Sequence, residues 1–366
     1  MRICERRGIV QTFREGRRLY SRRVESKGSE RIKTRSPRIL RFGAERLIIC
    51  AEGNMKTERI QQISVDKKTG AVYAARAAES MLGVKPSSVG YLGGGSFGRA
   101  FGIKYAGGEA VIKLLADPGM MSKETFDLTL LGDACPVPMP KVLFAREPDE
   151  SVPVACYGME KIEGGCALTS LRLRLSSKKK KAAFADAVTS ALHTIHSRTA
   201  DKFGDSRDPA YDTWLGFYRP FAEQVLNAAR KDEIFSDGII SVMDGAMEKF
   251  DTVFEEEIDR ACLIHGDLNI ANIMVKGSRL TGFIDPLNSM YADREYDLFQ
   301  FDNIGGRHFG LSAAYREKYG ASRRFAEKLA FYGLWNEVWC SIKVGHVINF
   351  IMDPLVKNMR AILSRL

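Results

Sequence analysis

Apolar residues first recur at helical spacing in Val72, Ala75, Ala78 and Leu82, and the pattern stops near Gly83 and Pro86. This predicts a helix from about residue 66. The period then shortens to two. Residues 89–92 and 99–105 flank Gly93-Gly94-Gly95-Ser96-Phe97-Gly98, a strand, a glycine-rich turn and a second strand; 109–115 makes a third. A helix with Ser122 as its cap candidate carries Glu124, Phe126, Leu128 and Leu131. After the Pro136-Val137-Pro138-Met139-Pro140 break, strands are expected over 142–146 and 154–159. The polar, glycine-bearing stretch from Glu160 to Gly165 reads as a hinge, and helical periodicity dominates beyond it.

Length agrees with a hinge. At 366 residues and 45% hydrophobic content the chain exceeds the size at which single cores usually divide. No uninterrupted apolar run is long enough for a membrane span. The net charge of +10 is concentrated: residues 1–54 hold 13 Arg, 2 Lys and 6 Glu, so the remainder is nearly neutral. A nucleic-acid-binding domain would spread its cations over a folded face, so no nucleic-acid partner is expected. Residues 1–54, with weak periodicity and a short apolar cluster from Leu47 to Ala51, read as a disordered extension or as sequence ahead of a start at Met55. Seven scattered cysteines without a CxxC pair suit a reducing cytoplasm.

The glycine turn lets backbone N–H groups approach phosphates, which makes Gly94, Gly95, Ser96, Phe97 and Gly98 nucleotide-binding candidates. By itself such a hairpin is weak evidence. Lys113 lies inside an apolar strand, where a cation needs a compensating anion. A nucleotide phosphate and Glu124 are both available, and a lysine held between a helix glutamate and phosphates is how kinases place ATP. In a kinase the hinge main chain would meet the base, so Glu160 to Ile162, including Glu160 and Ile162 themselves, are contact candidates. The lysine run 178–181 reads as a solvated helix start, and His193 and His196 as hydrogen-bonded core residues.

The densest chemistry lies in Leu263-Ile264-His265-Gly266-Asp267-Leu268-Asn269-Ile270-Ala271-Asn272, followed by Leu280 to Asp285. Apolar strands bracket a polar loop in which Asp267 and Asn272 are five apart; Asp285 ends the next strand. Phosphoryl transfer calls for a carboxylate near the attacking hydroxyl and for hard oxygen ligands to Mg²⁺. Asp267 suits the first task, Asn272 and Asp285 the second.

In order, these motifs resemble the aminoglycoside phosphotransferase family of kinase-fold small-molecule kinases, with its H-G-D-x-x-x-x-N loop. The match runs from the glycine turn and Lys113 through Met159-Glu160 to His265-Gly266-Asp267, Asn272, Ile284-Asp285 and Ala292 to Leu298. Pro286 after Asp285, with Asp293-Arg294-Glu295, is reminiscent of the fructosamine kinase branch. The resemblance implies an α+β, two-lobed protein-kinase-like fold: a strand-rich N-lobe over 55–162 and a helical C-lobe over 163–366. It implies Asp267 as catalytic base, Asn272 and Asp285 as Mg²⁺ ligands, and Lys113 with Glu124 on the phosphates of ATP or GTP. His265 and Asp297 would brace the loop, and Asp293 would either brace it or touch substrate. No Ala-Pro-Glu element follows Asp285, which argues against a protein acceptor.

The expected partner is a small molecule with a hydroxyl group, whether aminoglycoside, ketosamine, choline or homoserine; a regulator that binds nucleotide without turnover is the rival. Residues from Asp205 to Arg219 and around Trp335, Glu337 and Trp339 are candidates for the acceptor lining. No membrane partner is expected, and no sequence feature speaks to oligomeric state.

Overall fold

The computed structural model describes residues 59–366. The basic stretch 1–54, Met55, Cys4 and Cys50 lie outside the described residues. Helix α1 (Lys67–Leu82) is capped by Asp66, whose carboxylate accepts from the N–H groups of Lys68 (2.7 Å) and Thr69 (2.9 Å), and it ends at Gly83 in the left-handed conformation. Its buried face is rotated from the one expected, keeping Ala78 and the partly buried Leu82 but not Val72. Gly70, Ala74, Ala77 and Ala78 are buried while Val72 is exposed. The reason is close approach: a Cβ on Gly70 would lie 2.5 Å from the Phe101 ring, so small residues face the sheet.

That sheet is five-stranded and antiparallel, in the order β1 (Ser88–Gly93), β2 (Gly98–Tyr105), β3 (Gly108–Leu115), β5 (Ala155–Glu160), β4 (Val142–Arg146). Alternation along β3 sends Ala110, Ile112 and Leu114 into the core under α1 and Lys113 to the opposite face. On that face lies α2 (Pro118–Ala134). Asp117, not Ser122, caps α2, accepting from Gly119 N–H at 2.7 Å, and Pro118 occupies the first turn. The helix therefore begins a turn before the expected start, which leaves Glu124 well inside it.

The chain leaves β5 through Lys161–Gly164 and enters β6 (Gly165–Cys166), the short helix α3 (Leu171–Arg174) and α4 (Lys178–His196). The first three lysines of the run 178–181 are exposed. The second lobe contains β7 (Thr199–Ala200), β8 (Gly204–Asp205), α5 (Trp214–Ala229), α6 (Asp237–Glu248) and α7 (Phe250–Val253). Next come β9 (Ala261–Leu263), β10 (Ile273–Lys276), β11 (Arg279–Phe283) and β12 (Met290–Ala292). A tight helical segment, Arg294–Phe309, broken at Asn303–Gly305, leads to α8 (Leu311–Tyr319), α9 (Phe325–Val344) and α10 (Asn349–Leu363).

Two small sheets carry the polar loops, β11-β10-β6 and β7-β9-β12-β8. Rings from α5, α7 and α9 form the core beneath them, with Trp214 stacked on Tyr218 and Phe331 on Trp335. Trp335 is fully buried and donates its indole N–H to Ala222 O at 2.9 Å, so it belongs to the core and not to an acceptor lining. Among the described residues, Cys135, Cys156, Cys166, Cys262 and Cys340 are free thiols, and no helix is long and apolar enough to cross a membrane.

Candidate active site

The face of β3 that carries Lys113 looks across to α2 and to the end of β11. Lys113 Nζ lies 2.8 Å from Glu124 Oε2 and 2.5 Å from Asp285 Oδ1. Burial works against its charge, but the Asp285 and Glu124 carboxylates overcome this and hold its pKa well above the ordinary lysine value. Tyr157, from β5, donates its hydroxyl to the same Glu124 oxygen at 2.9 Å. Nothing in the local pattern around Tyr157 distinguished it from an ordinary strand residue.

The glycine turn sits directly over this lysine. A Cβ on Gly98 would come within 3.0 Å of Leu114 O and 3.3 Å of Lys113 Cε, and one on Gly94, at φ 152°, would strike Gly98 O. Ser96 O accepts from Ile63 N–H at 3.0 Å and Phe97 O from Ala116 N–H at 3.2 Å. The Phe97 ring packs on the core, which leaves only its main chain available to a ligand. Arg99 donates to the carbonyls of Gly95 and Gly98, a brace that the sequence pattern did not flag. At the hinge, Glu160 N–H donates to Lys141 O at 2.9 Å, which removes that amide from the expected base contacts. Ile162 is buried against Gly282 of β11.

The polar loop hangs between β9 and β10. Asp297 accepts from the backbone N–H groups of His265 and Gly266, both at 2.7 Å. Gly266 adopts φ 82°, where a Cβ would strike Leu287 O. Burial keeps the His265 imidazole neutral, its pKa lowered to about 4. His196 bonds Asp297 (3.2 Å) and the Tyr315 hydroxyl (2.7 Å), as expected of a core histidine. Asp293 is buried too, bonded to Lys328 and Tyr332 of α9 and not to the loop.

Asp267 accepts from Asn269 Nδ2 at 2.9 Å and from Asn272 Nδ2 at 3.0 Å. Burial and the nearby Asp285 charge raise its pKa to about 7, against the lowering effect of those two amides. Asn269 was not among the expected site residues, although it lies within the loop. The Asn272 NH₂ group also donates to Asp267 O at 2.8 Å, so both of these bonds use its nitrogen and neither uses its amide oxygen. Ile284 N–H donates to Asn272 O at 3.0 Å, joining β11 to the loop just before Asp285. Asp285 itself adopts φ 59°, a left-handed backbone uncommon outside glycine and found disproportionately at functional sites.

Helix α9 closes the far side. Trp339 borders a cavity of about 10 Å³ together with Trp214, Phe217, Tyr218 and Asn288, about the size of one water and too small for an acceptor. Of the other acceptor candidates, Asp205 is engaged by Arg207 at 3.1 Å. Glu337 is half-buried on α9 without an ion partner among the described residues, and burial raises its pKa to about 7.

Residues 126–330 match the model of the phosphotransferase enzyme family. The chain belongs to that family. Solved structures of similar fold include a protein of Thermobifida fusca YX-ER1 named a putative fructosamine-3-kinase (18% identity, TM-score 0.61, 80% of this chain and 98% of that one). Another is a thermostable mutant of aminoglycoside phosphotransferase APH(4)-Ia in ternary complex with AMP-PNP and hygromycin B (18%, TM-score 0.63, 79% and 97%). A third is the GDP complex of aminoglycoside 2'-phosphotransferase-IIIa (15%, TM-score 0.57, 80% and 98%). No curated protein matches the chain. The two-lobed kinase-like architecture expected from the motifs is thus the fold of this phosphotransferase-family chain.

Proposed function

We propose that this family member is a small-molecule kinase that transfers the γ-phosphoryl group of ATP, or of GTP, to an acceptor hydroxyl. The observation that carries this reading is Lys113 between Glu124 (2.8 Å) and Asp285 (2.5 Å), under the glycine turn and on the same cleft as the Asp267 and Asn272 loop. A lysine held this way is poised to exchange one carboxylate for nucleotide phosphate. Within this reading the division at 162/163 is the hinge, and the main chain at Lys161 and Ile162 meets the base.

The residues present fit a magnesium ion. Asp285 and the Asn272 amide oxygen are hard donors, and Mg²⁺ typically takes one or two carboxylates together with substrate phosphates and water. Among the described residues no group of three or more His, Cys, Asp or Glu could hold a metal ion, so phosphate oxygens complete the set. When bound, the ion neutralises phosphate charge. Asp267 orients the acceptor hydroxyl and takes its proton as the oxygen forms a bond to γ-phosphorus and the bond to the β–γ bridging oxygen breaks; the products are phosphorylated acceptor and ADP or GDP. Its pKa of about 7 places the carboxyl near the optimum for that task. His265 and Asp297 hold the loop.

Glu337, an acidic side chain without an ion partner among the described residues, favours a cationic acceptor, whose charge would hold the carboxyl ionised. Aminated sugars and choline fit this better than neutral alcohols do. A regulator without turnover is disfavoured, because Lys113, Asp267, Asn272 and Asp285 are all present.

The test is transfer of labelled γ-phosphate from ATP and GTP, with Mg²⁺, across aminoglycosides, ketosamines, choline and homoserine. Transfer to one acceptor that disappears in Asp267→Ala, with nucleotide binding retained, supports the reading. Unimpaired turnover in that variant overturns the role of Asp267. Tight nucleotide binding with no transfer to any acceptor favours the regulator.

A further inference from the structure

One buried side chain bonded to both lobes takes no part in the proposed chemistry. Lys123, next to Glu124 on α2, is 4% exposed. Its ammonium lies 2.6 Å from both Asp127 carboxylate oxygens, 2.8 Å from Ser206 Oγ and 2.7 Å from Ser289 O. Ser206 in turn donates to Asp127 Oδ1 at 2.6 Å. A buried cation so fully engaged is costly to strand from any of its partners.

Sheet register explains why those partners coincide. β12 pairs with β8 through Met290↔Asp205 and Tyr291↔Gly204, so the next antiparallel rung sets Ser289 opposite Ser206, and α2 inserts Lys123 there. Ser289 also donates its hydroxyl to His265 O at 2.9 Å, two residues before Asp267. The apolar side of α2 points the same way. Met120, Met121, Leu128 and Leu131 belong to the core continuous with the helical lobe, whereas α1 and the opposite face of the sheet form a separate cluster.

We propose that Lys123 is a positioning residue that anchors α2 to the catalytic lobe, so that Glu124 keeps a set distance from the Asp267 loop while the five-stranded sheet moves over both. The kinetic part of this inference rests on the kinase reading above; the anchoring part does not. Neighbouring residues on a helix point about 100° apart, which lets Lys123 engage the C-lobe while Glu124 meets Lys113. Domain motion would then make or break the Lys113–Glu124 pair without moving Glu124 relative to Asp267.

The experiment compares the parent with Lys123→Met, Lys123→Met/Asp127→Leu and Ser206→Ala by amide exchange of residues 118–134 and 262–269, melting temperature, kcat and acceptor KM. Lys123→Met should raise exchange in both segments by about tenfold or more and lower kcat by about 100-fold, with acceptor KM within about threefold. Adding Asp127→Leu removes the stranded carboxylate; the melting temperature should recover while kcat stays low. Ser206→Ala keeps the ion pair, and so the fold, and should raise exchange in both segments by about threefold. A rise confined to one segment, or kcat recovering together with melting temperature in the double variant, overturns the proposal. A parent without phosphoryl transfer overturns the kinase reading instead, and exchange still decides the anchoring.

Discussion

Lys113 and Lys328 each sit between two carboxylates at nearly the same distances, 2.8 and 2.5 Å for one, 2.6 and 2.8 Å for the other. Their surroundings differ. In the Lys328 cluster all three side chains are at most 5% exposed. There Asp293 also accepts from the Tyr332 hydroxyl, and Glu295 from the backbone N–H and hydroxyl of Ser322. Around Lys113 one partner, Asp285, is 49% exposed and stands on a left-handed backbone. A sealed cluster holds elements together. An open one, whose carboxylate can turn to solvent or ligand, is free to exchange partners, so ion-pair geometry alone does not distinguish structure from chemistry; access does.

The contrast breaks if the two lysines fail in the same way. Lys113→Met should lower kcat/KM for nucleotide by about 10³-fold, roughly 4 kcal/mol of transition-state stabilisation, with a smaller loss of stability than at Lys328, since only one buried carboxylate, Glu124, is stranded and it keeps its Tyr157 bond while Asp285 can turn to water. Steady-state kinetics beside thermal unfolding measure both. Lys328→Met should do the reverse. Stranding Asp293 and Glu295 should cost about 3 kcal/mol of stability while kcat per folded molecule is kept; loss of turnover in folded protein would move Lys328 into the chemistry.

A finer prediction concerns the Asp267 loop. If Asp267 must be ionised, the rate falls as pH drops through its pKa, which burial and the Asp285 charge raise to about 7 and which a Mg²⁺ ion on Asp285 would bring lower. Asn269 lowers that pKa by donating to the carboxylate. Asn269→Ala should therefore move the acid limb of the pH–rate profile upward by about half a unit. A limb that stays in place or moves down would separate Asp267 from the observed titration. The smallest effect is expected at Glu337. Glu337→Gln should raise KM for an aminated acceptor by about tenfold, leave a neutral acceptor within about twofold and leave nucleotide affinity unchanged.

Much of the site was legible because its signals are local. The loop from His265 to Asn272, the strand ending at Asp285 and the glycine turn before β2 are contiguous stretches whose residue types match a task. Asp117 followed by Pro118 is equally local, a cap and first-turn signature, and competes with Ser122, whose side chain can also cap. Asn269 lay within the recognised loop but has no distinguishing type. Tyr157 and Arg99 carried no signal at all, because each matters only through what the fold sets beside it.

What the chain alone determines here is the order of strands and helices and the identity of the groups able to handle phosphate, since periodicity and residue chemistry are properties of short segments. Which of those groups meet is decided by packing. Lys113 finds Asp285 across 172 residues, and Lys123 finds Ser289 across 166; the first contact depends on where β3 lies relative to the end of β11, the second on where α2 lies relative to β12. The inward face of α1 was settled in the same way, by a Phe101 ring that leaves no room for a Cβ at Gly70, while Val72 stays exposed. Local pattern cannot carry such distances, because the free energy that sets them belongs to the assembled core.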